Sequence, residues 1–477
     1  MRTAAYLLLA FLPLPAWAAE AAPNSSPEGF SVTPGERQLF VDDVGIGRIE
    51  NLQRTMHRPV KRGAVIRSPQ PTENLQTRTA PVWDPGENLY KLWVLGIDDN
   101  LWLSRDGLNW NAGPPTSTRI TMAVYDPRDP DPARRFKAPL LNRGFAVSPD
   151  GIAWTQLELP KIQSSDEGNF SYDPETGLFI HTVKRGGTFG RSLALATSPD
   201  FENWTDYGVV FQTDELDQEL GKQHIAARMA DETLQQTLYN DPSVYNVDVY
   251  NMGVFRYEGL YIGLPALYHA TGPVPNYPNT VGFHLIQLAA SRDLKTWQRL
   301  GDRQTFIGPS RKDSGAYDLT QILPPSTAIV RDDELWFYYT GLKHRGTFTY
   351  VGTYPNGEHV KMPGRSRDLG GVCLAVLRRD GFISLDADHS DGVLVTEPFD
   401  LPAGKLHVNV DATDGRLQVT LLDEQQDELA TSASLVGDHT DAALDWERGN
   451  LSDFTGQRVR LQVTLKNASL YSYWLSD

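Results

Sequence analysis

Cysteine is all but absent from this chain. Cys373 is the only one in 477 residues, which excludes an intramolecular disulfide and any thiolate-bound metal. It lies in the apolar run Val372-Cys373-Leu374-Ala375-Val376, the setting of a buried, inert thiol. Positive charge is also short. Lys and Arg number 44 against 60 Asp and Glu, a formal net charge of −16. Nucleic acid is thereby excluded as a partner, because a phosphate backbone needs a basic face. No apolar run has the length of a transmembrane helix. No phosphate loop follows a strand and no dinucleotide fingerprint opens a helix, so no nucleotide or redox cofactor is expected. A structural Ca²⁺ would suit a channel of acidic and carbonyl oxygens, but no ligand spacing supports one, and no metal site is assigned.

What is present begins with an export pattern. Arg2, the apolar stretch from Ala4 to Leu14 and the small-x-small site Ala16-Trp17-Ala18 read as a signal peptide over residues 1–18. A small, polar leader follows over 19–29. The expected location is therefore secreted or periplasmic, with no membrane partner once the signal is removed.

The body of the chain is repetitive. Ser-x-Asp-x-x-x-Trp occurs as Ser104…Asp106…Trp110, Ser148…Asp150…Trp154, Ser198…Asp200…Trp204 and Ser291…Asp293…Trp297. A degenerate fifth copy, Arg378-Arg379-Asp380-Gly381-Phe382, lacks the tryptophan. Each copy follows a short apolar strand, as a hairpin turn would. Upstream of the copies lies a second unit, a strand, an acidic turn and an aromatic strand, as in Val82-Trp83-Asp84-Pro85…Tyr90-Lys91-Leu92-Trp93. The two units give four strands per copy, five times over. That pattern predicts an all-β chain with a five-bladed β-propeller over 30–385. The repeated Asp and Trp residues read as structural. Gln38–Asp43 is expected to close the ring in the last blade, and residues 214–235 to form an inserted helical excursion. From Ser384 onward the repeat stops. Strands alternating at period two, such as 406–411, 417–422 and 459–465, predict a β-sandwich over 386–477.

Four passages carry a resemblance: Gln38-Leu39-Phe40-Val41-Asp42-Asp43, the stretch from Arg54 to Val60, Trp83-Asp84-Pro85 with Tyr90-Lys91-Leu92-Trp93, and the run from Arg379 to Ala387. Together these resemble exported bacterial five-bladed propeller proteins akin to glycoside hydrolase families 32, 43 and 117. The resemblance implies a carbohydrate substrate. The chain departs from those families in lacking Asn-Asp-Pro-Asn near the first blade and an Arg-Asp-Pro followed by Glu-Cys-Pro. No catalytic residue is therefore carried over.

In a propeller the polar residues that begin each innermost strand converge on one mouth. Blade three offers Asp166, Glu167 and Asn169, blade four Asp248, Tyr250 and Asn251, and blade five Asp318 and Gln321. Blade one offers Glu73 and Arg78, and blade two Arg119. Glycoside hydrolysis needs one protonated and one ionised carboxyl group. The expected assignment is Glu167 or Asp166 as general acid and Asp248 as base or nucleophile, with Asp318 tuning a pKa or holding a hydroxyl. Arg78, Asn169, Tyr250, Asn251 and Gln321 would bind substrate. His269 and His344 end second strands, expected to run toward the far face, and are subsite candidates. Lys343, His344 and Arg345 form a basic cluster suited to an acidic or sulfated sugar. A glycoside hydrolase is the leading reading. A noncatalytic glycan-binding protein and a polysaccharide lyase using a Tyr or His base are the alternatives.

Overall fold

The computed structural model describes residues 29–69, 74–274, 277–345 and 368–476, with the single positions 353, 357 and 359. The expected signal peptide and all of the leader but Gly29 lie outside the described residues, as does Glu73.

Five separate antiparallel sheets form the propeller. Blade one comprises Val82–Asp84, Leu89–Trp93, Leu101–Ser104 and Asn111–Ala112. Blade two comprises Val124–Tyr125, Phe136–Leu140, Gly144–Ser148 and Thr155–Leu157. Blade three comprises Gly168–Asp173, Leu178–Gly187, Gly190–Ser198 and Thr205–Phe211. In blade four, Asn246–Tyr257 pairs with the long strand Leu260–Val274, whose other edge is shared by Tyr277–Ile286 and Ala289–Ser291. Gln298–Arg299 completes that sheet. Blade five has a divided inner strand, Gln321–Leu323 and Ile329–Arg331, on Glu334–Leu342. Pro324 and Pro325 stand at the division, where neither can donate to a ladder.

The ring is closed from the N-terminal side by Val60–Arg67, which pairs with Gly370–Arg378 in blade five. This corrects the expectation for Gln38–Asp43. Gln38–Leu39 pairs instead with Ala468–Ser476 in the C-terminal sheet. The reason is burial on successive positions: Leu39, Phe40 and Val41 are all buried and need core on both sides. The outer edge of a blade gives no such shelter, and Val60–Arg67, with a single buried residue and rich in Lys and Arg, suits it.

The Ser-x-Asp-x-x-x-Trp repeat is a self-contained hairpin device. In blade one the Ser104 hydroxyl donates to Asp106 Oδ1 at 3.0 Å, and that oxygen accepts the backbone N–H groups of Leu108 and Asn109. The Trp110 indole N–H then donates to the Gly107 carbonyl at 2.8 Å. The same contacts recur around Asp150, Asp200 and Asp293. The residue after each Asp-containing start is left-handed, at φ 74° for Gly107, 72° for Gly151 and 66° for Phe201 and Leu294. These turns are structural, as the repeat implied. The Asp-Pro turns are structural too. Buried Lys91 is paired with Asp84 at 2.6 Å, and buried Lys137 with Asp129 at 2.7 Å.

Residues Glu215–Ala230 form the expected helix, capped by a reciprocal box in which Asp214 and Asp217 each accept the other's backbone N–H. It packs against blade four, where Ile225 is buried with Phe283 and Leu285.

The C-terminal unit is a curled, half-barrel sheet of twelve strands. Three of these come from the N-terminal side: Gln38–Leu39, Ile46–Glu50 and Gln53–Met56. Two expected strands are one, Lys405–Leu422, whose register shifts between Ala412 and Leu417. One apolar cluster runs from blades four and five into this sheet, joining Tyr257, Leu335 and Phe382 to Val408, Leu461 and Tyr473.

The degenerate fifth repeat sits at that junction. Asp380 is paired with Arg37 at 2.7 Å, and it accepts hydrogen bonds from the Tyr257 hydroxyl at 2.5 Å, Ser472 at 2.6 Å and Asn409 at 3.1 Å. The Arg37 guanidinium lies 3.6 Å from the ring centroid of Trp474.

Arg37→Met should cost about 3–5 kcal/mol, because it leaves a buried carboxylate without its cation. Asp380→Asn added to it should recover part of that loss, read as urea midpoints of the two variants. A second comparison isolates the hairpin geometry. Both Gly107 and Gly315 have positive φ, but an added Cβ would meet the Tyr338 hydroxyl at Gly107 and open space at Gly315. Gly315→Ala should cost about 1–2 kcal/mol for the backbone alone. Gly107→Ala should cost about 1–3 kcal/mol more.

Candidate functional site

The inner strands begin at one mouth, and strand register fixes what joins them there. Gly168 is opposite Val183, Asn246 opposite Ala270 and Gln321 opposite Leu342. Second strands therefore end at the mouth where first strands begin. The expectation that they carry His269 and His344 toward the far face is corrected, because an antiparallel return must end beside its start. Blades three and four also overhang. Their second strands run for 10 and 15 residues, against 5 in blade two.

Arg78, Glu167, Asn169 and Asn251 come together as expected of mouth residues. Arg78 grips Glu167 through both carboxylate oxygens, Nε to Oε2 at 2.5 Å and Nη2 to Oε1 at 2.7 Å. Asn251 Nδ2 donates to Glu167 Oε2 at 3.2 Å, and Asn169 Nδ2 to Asn251 Oδ1 at 3.3 Å. The Glu167 carbonyl accepts from Ser164 and from the Lys184 backbone N–H, which fixes the residue in place. Asn169 Oδ1 is buried and has no hydrogen-bond partner.

A second carboxylate lies along the same blade-four strand. Asp248 Oδ2 accepts from Arg191 Nε at 2.8 Å, while the buried Oδ1 has no partner. Asp166, two-thirds exposed, is ion-paired with Lys184. The Lys184 ammonium lies 4.1 Å from the Tyr250 ring centroid. Tyr250 and Tyr268 flank the ring of His284, at 4.8 and 4.9 Å.

Two forces act on these acids and balance differently. Burial alone would raise the Glu167 carboxyl, but the Arg78 charge and hydrogen bonds outweigh it and hold the group below its ordinary range. Burial of Asp248 outweighs its contacts with Arg191, whose backbone N–H and Nε both donate to Oδ2, so its carboxyl is pushed up. The two carboxyl groups, alike in burial, are thus driven in opposite directions, Glu167 downward and Asp248 upward. Burial first, then the negative charge of Glu167, pushes the Tyr250 hydroxyl up to about 12, so it stays protonated at neutral pH.

Among the described residues no hydrogen bond joins the other expected residues to this group. Asp318 is paired with Lys61 at 2.7 Å and accepts from Tyr339 at 2.8 Å, beside Cys373. Cys373 is buried and its thiol is raised by desolvation, as an inert core residue's would be. His269 is buried, stacked on Phe283 and bonded to His224 at 3.1 Å. Arg119 donates to the Ile97 carbonyl on blade one. Gln321 is buried at the start of its strand, and His344 is half-buried next to Lys343. Among the described residues no group of three or more His, Cys, Asp or Glu is placed to hold a metal ion. Lys184, Arg191 and His284 escaped the sequence reading, which looked where inner strands begin and where the second strands of blades four and five end. The signal available for the first two was the length of the polar hairpin from Lys184 to Arg191.

No protein-family model and no curated protein matches the chain. Among solved structures it is similar to a glycoside hydrolase, with a TM-score of 0.40 and 14% identity over 67% of this chain and 92% of that one. It is similar also to an N-acetylgalactosamine deacetylase from F. plautii, with a TM-score of 0.36 and 13% identity over 70% and 97%. A Bombyx mori GH32 beta-fructofuranosidase gives 0.35 and 10% over 88% and 96%. The five-bladed assignment rests on the strand pairing above rather than on these likenesses.

The two acids should imprint opposite pH slopes on stability. Glu167 contributes stability that is present above its ordinary value of 4.5 and lost as pH falls through its lowered folded value. The stability deficit of Glu167→Gln should therefore shrink on acidification. Asp248 favours the fold below its ordinary value of 3.8, and that contribution is lost as pH rises through its raised folded value. Asp248→Asn should therefore gain on wild type as pH rises. Urea unfolding of the three proteins across the acid range reads both slopes.

Proposed function

We propose that the propeller mouth hydrolyses a glycosidic bond of a polysaccharide or oligosaccharide. The observation that carries this reading is the pair of carboxyl groups on adjacent blades whose surroundings push their acidity apart, Glu167 down and Asp248 up. Asp248 is the proton donor: a proton on its unpartnered Oδ1 has no acceptor in the protein, and a leaving-group oxygen supplies one. Glu167, kept ionised by Arg78, is the base or nucleophile on the opposite side of the bond. Arg191 positions Asp248, and Asn169 and Asn251 meet sugar hydroxyls. Tyr250, with a face toward Lys184, offers a ring for a sugar to pack on. On the N-terminal pattern, the reaction takes place outside the cytoplasm.

One observation favours a second reading, a propeller that binds glycan without cleaving it. Each of Glu167, Asp166 and Asp248 already has a cationic partner. An ion-paired acid with no room to lose its partner holds a sugar rather than attacks it.

Product release from a polysaccharide panel separates the two. Hydrolysis predicts reducing ends from wild type, and a loss of about 10²-fold or more in rate for Asp248→Asn and for Glu167→Gln. Binding to a panel member without release, or equal release by all three proteins, removes the hydrolase assignment.

A further inference from the structure

Around Tyr250 and Tyr268 the chain reverses its own charge. It carries a formal −16 overall, yet four cations gather at this side of the mouth: Arg78, Lys184, Arg191 and Arg345. Lys184 lies 4.1 Å from the Tyr250 centroid, Arg191 4.5 Å from that of Tyr268, and Arg345 4.1 Å from that of Tyr268. Three carboxylates face them, and each is taken. Glu167 pairs with Arg78, Asp166 with Lys184 and Asp248 with Arg191. Arg345 is the remainder. Its guanidinium donates to the Thr280 carbonyl and to Asn279 Oδ1, both neutral, and no carboxylate among the described residues is paired with it.

Beside this cation is a second feature that lacks a partner. His284 is fully buried, held between the two tyrosine rings, and neither of its ring nitrogens has a hydrogen-bond partner. Strand register places it directly opposite Tyr268, the ring on which Arg345 and Arg191 both lie. A buried polar group left unmatched is costly, and each one in a native structure calls for an explanation, a bound water, ion or ligand being among them.

We propose that this side of the mouth receives an oxyanion carried by the sugar, either the carboxylate of a uronic acid or a sulfate ester. The inference rests on the reading of the mouth as a glycan-cleaving site and adds the substrate class. Arg345 is the primary contact, since a guanidinium offers a planar pair of donors that matches a carboxylate or sulfate. Arg191 flanks it across the Tyr268 face. The neutral His284 ring supplies an N–H from below. A neutral sugar would leave the fourth cation uncompensated in a partly desolvated site, whereas an anionic one balances it. The same excess charge would draw acidic chains toward the mouth of an otherwise acidic protein.

The test uses matched probes and calorimetric titration of the full chain. The probes are oligogalacturonate with its carboxyl-reduced neutral counterpart, and a sulfated carrageenan oligosaccharide with its desulfated counterpart. The expected result is that one acidic member binds roughly tenfold to a hundredfold more tightly than its neutral partner, the range of a charge-assisted hydrogen bond. Which pair shows the preference decides between carboxylate and sulfate. Arg345→Gln should abolish the preference while binding of the neutral member stays as it was. The acidic preference of wild type should also weaken with added salt, a measurement independent of whether the variant folds. Equal affinity for acidic and neutral members, no binding of either acidic probe, or an equal loss for both members in Arg345→Gln overturns the proposal. Cleavage of neutral glycans without acidic preference would sink this inference and leave the hydrolase reading standing. Acidic preference without cleavage, or cleavage that yields an unsaturated product absorbing in the ultraviolet, would sink the hydrolase reading and leave this one standing.

Discussion

Asp380 is the residue on which the arrangement of this chain turns. Its carboxylate binds Arg37 from the N-terminal segment, Tyr257 from blade four, and Asn409 and Ser472 from the C-terminal sheet. All of these contacts are buried, so the charge is tolerable only while every partner is present. Stretches of chain that lie between 29 and 343 residues from Asp380 in sequence are therefore fixed relative to each other by one functional group. An apolar core surrounds the contact and extends through both units. The polar cluster supplies direction where apolar packing alone would tolerate slippage.

Its consequence reaches the mouth through ring closure. Gln53–Met56 pairs with Ile383–Ala387, just after Asp380, and a few residues on Val60–Arg67 enters blade five as its outer strand. The N-terminal segment is thus tied to the C-terminal sheet before it closes the propeller. Closure in turn sets blade one against blade five, where Thr77 and Thr340 exchange hydrogen bonds between side chain and backbone. Arg78 follows directly after Thr77, and its reach to Glu167 on blade three depends on that placement. A link between distant strands accordingly places the guanidinium that lowers the acidity range of Glu167 in the mouth.

The parts legible in the sequence were those whose chemistry is local. A hairpin built from Ser, Asp and Trp within seven residues announces itself, because all its hydrogen bonds close within that span. Five copies then imply five blades. Closure was misread because strand pairing between Val60 and Val376 leaves no local trace, whereas the apolar run Leu39-Phe40-Val41 looked like any blade strand. The mouth was legible in half. Arg78, Glu167, Asn169, Asp248, Tyr250 and Asn251 follow from their places at the starts of inner strands. Their partners do not, because Lys184 and Arg191 come from the overhanging hairpin of blade three and His284 from an extra strand of blade four. Asp318 also begins an inner strand, yet Lys61 on the closing strand draws it into a separate pair.

Those unseen partners separate the two acids. With the carboxylates alone, Glu167 and Asp248 look equivalent, and either can be named acid or base. Adding the cations breaks the symmetry, since Glu167 meets a guanidinium through both oxygens and Asp248 through one. A bidentate contact stabilises the ionised form more than a single one, while burial penalises the charge at both sites. The balance falls on opposite sides for the two groups. The same count leaves one cation over at the rim, so the features that order the two acids also leave a place for a negative charge beside them. The proposed roles and the proposed substrate class are in this sense one electrostatic problem, posed by where four cations sit relative to three carboxylates.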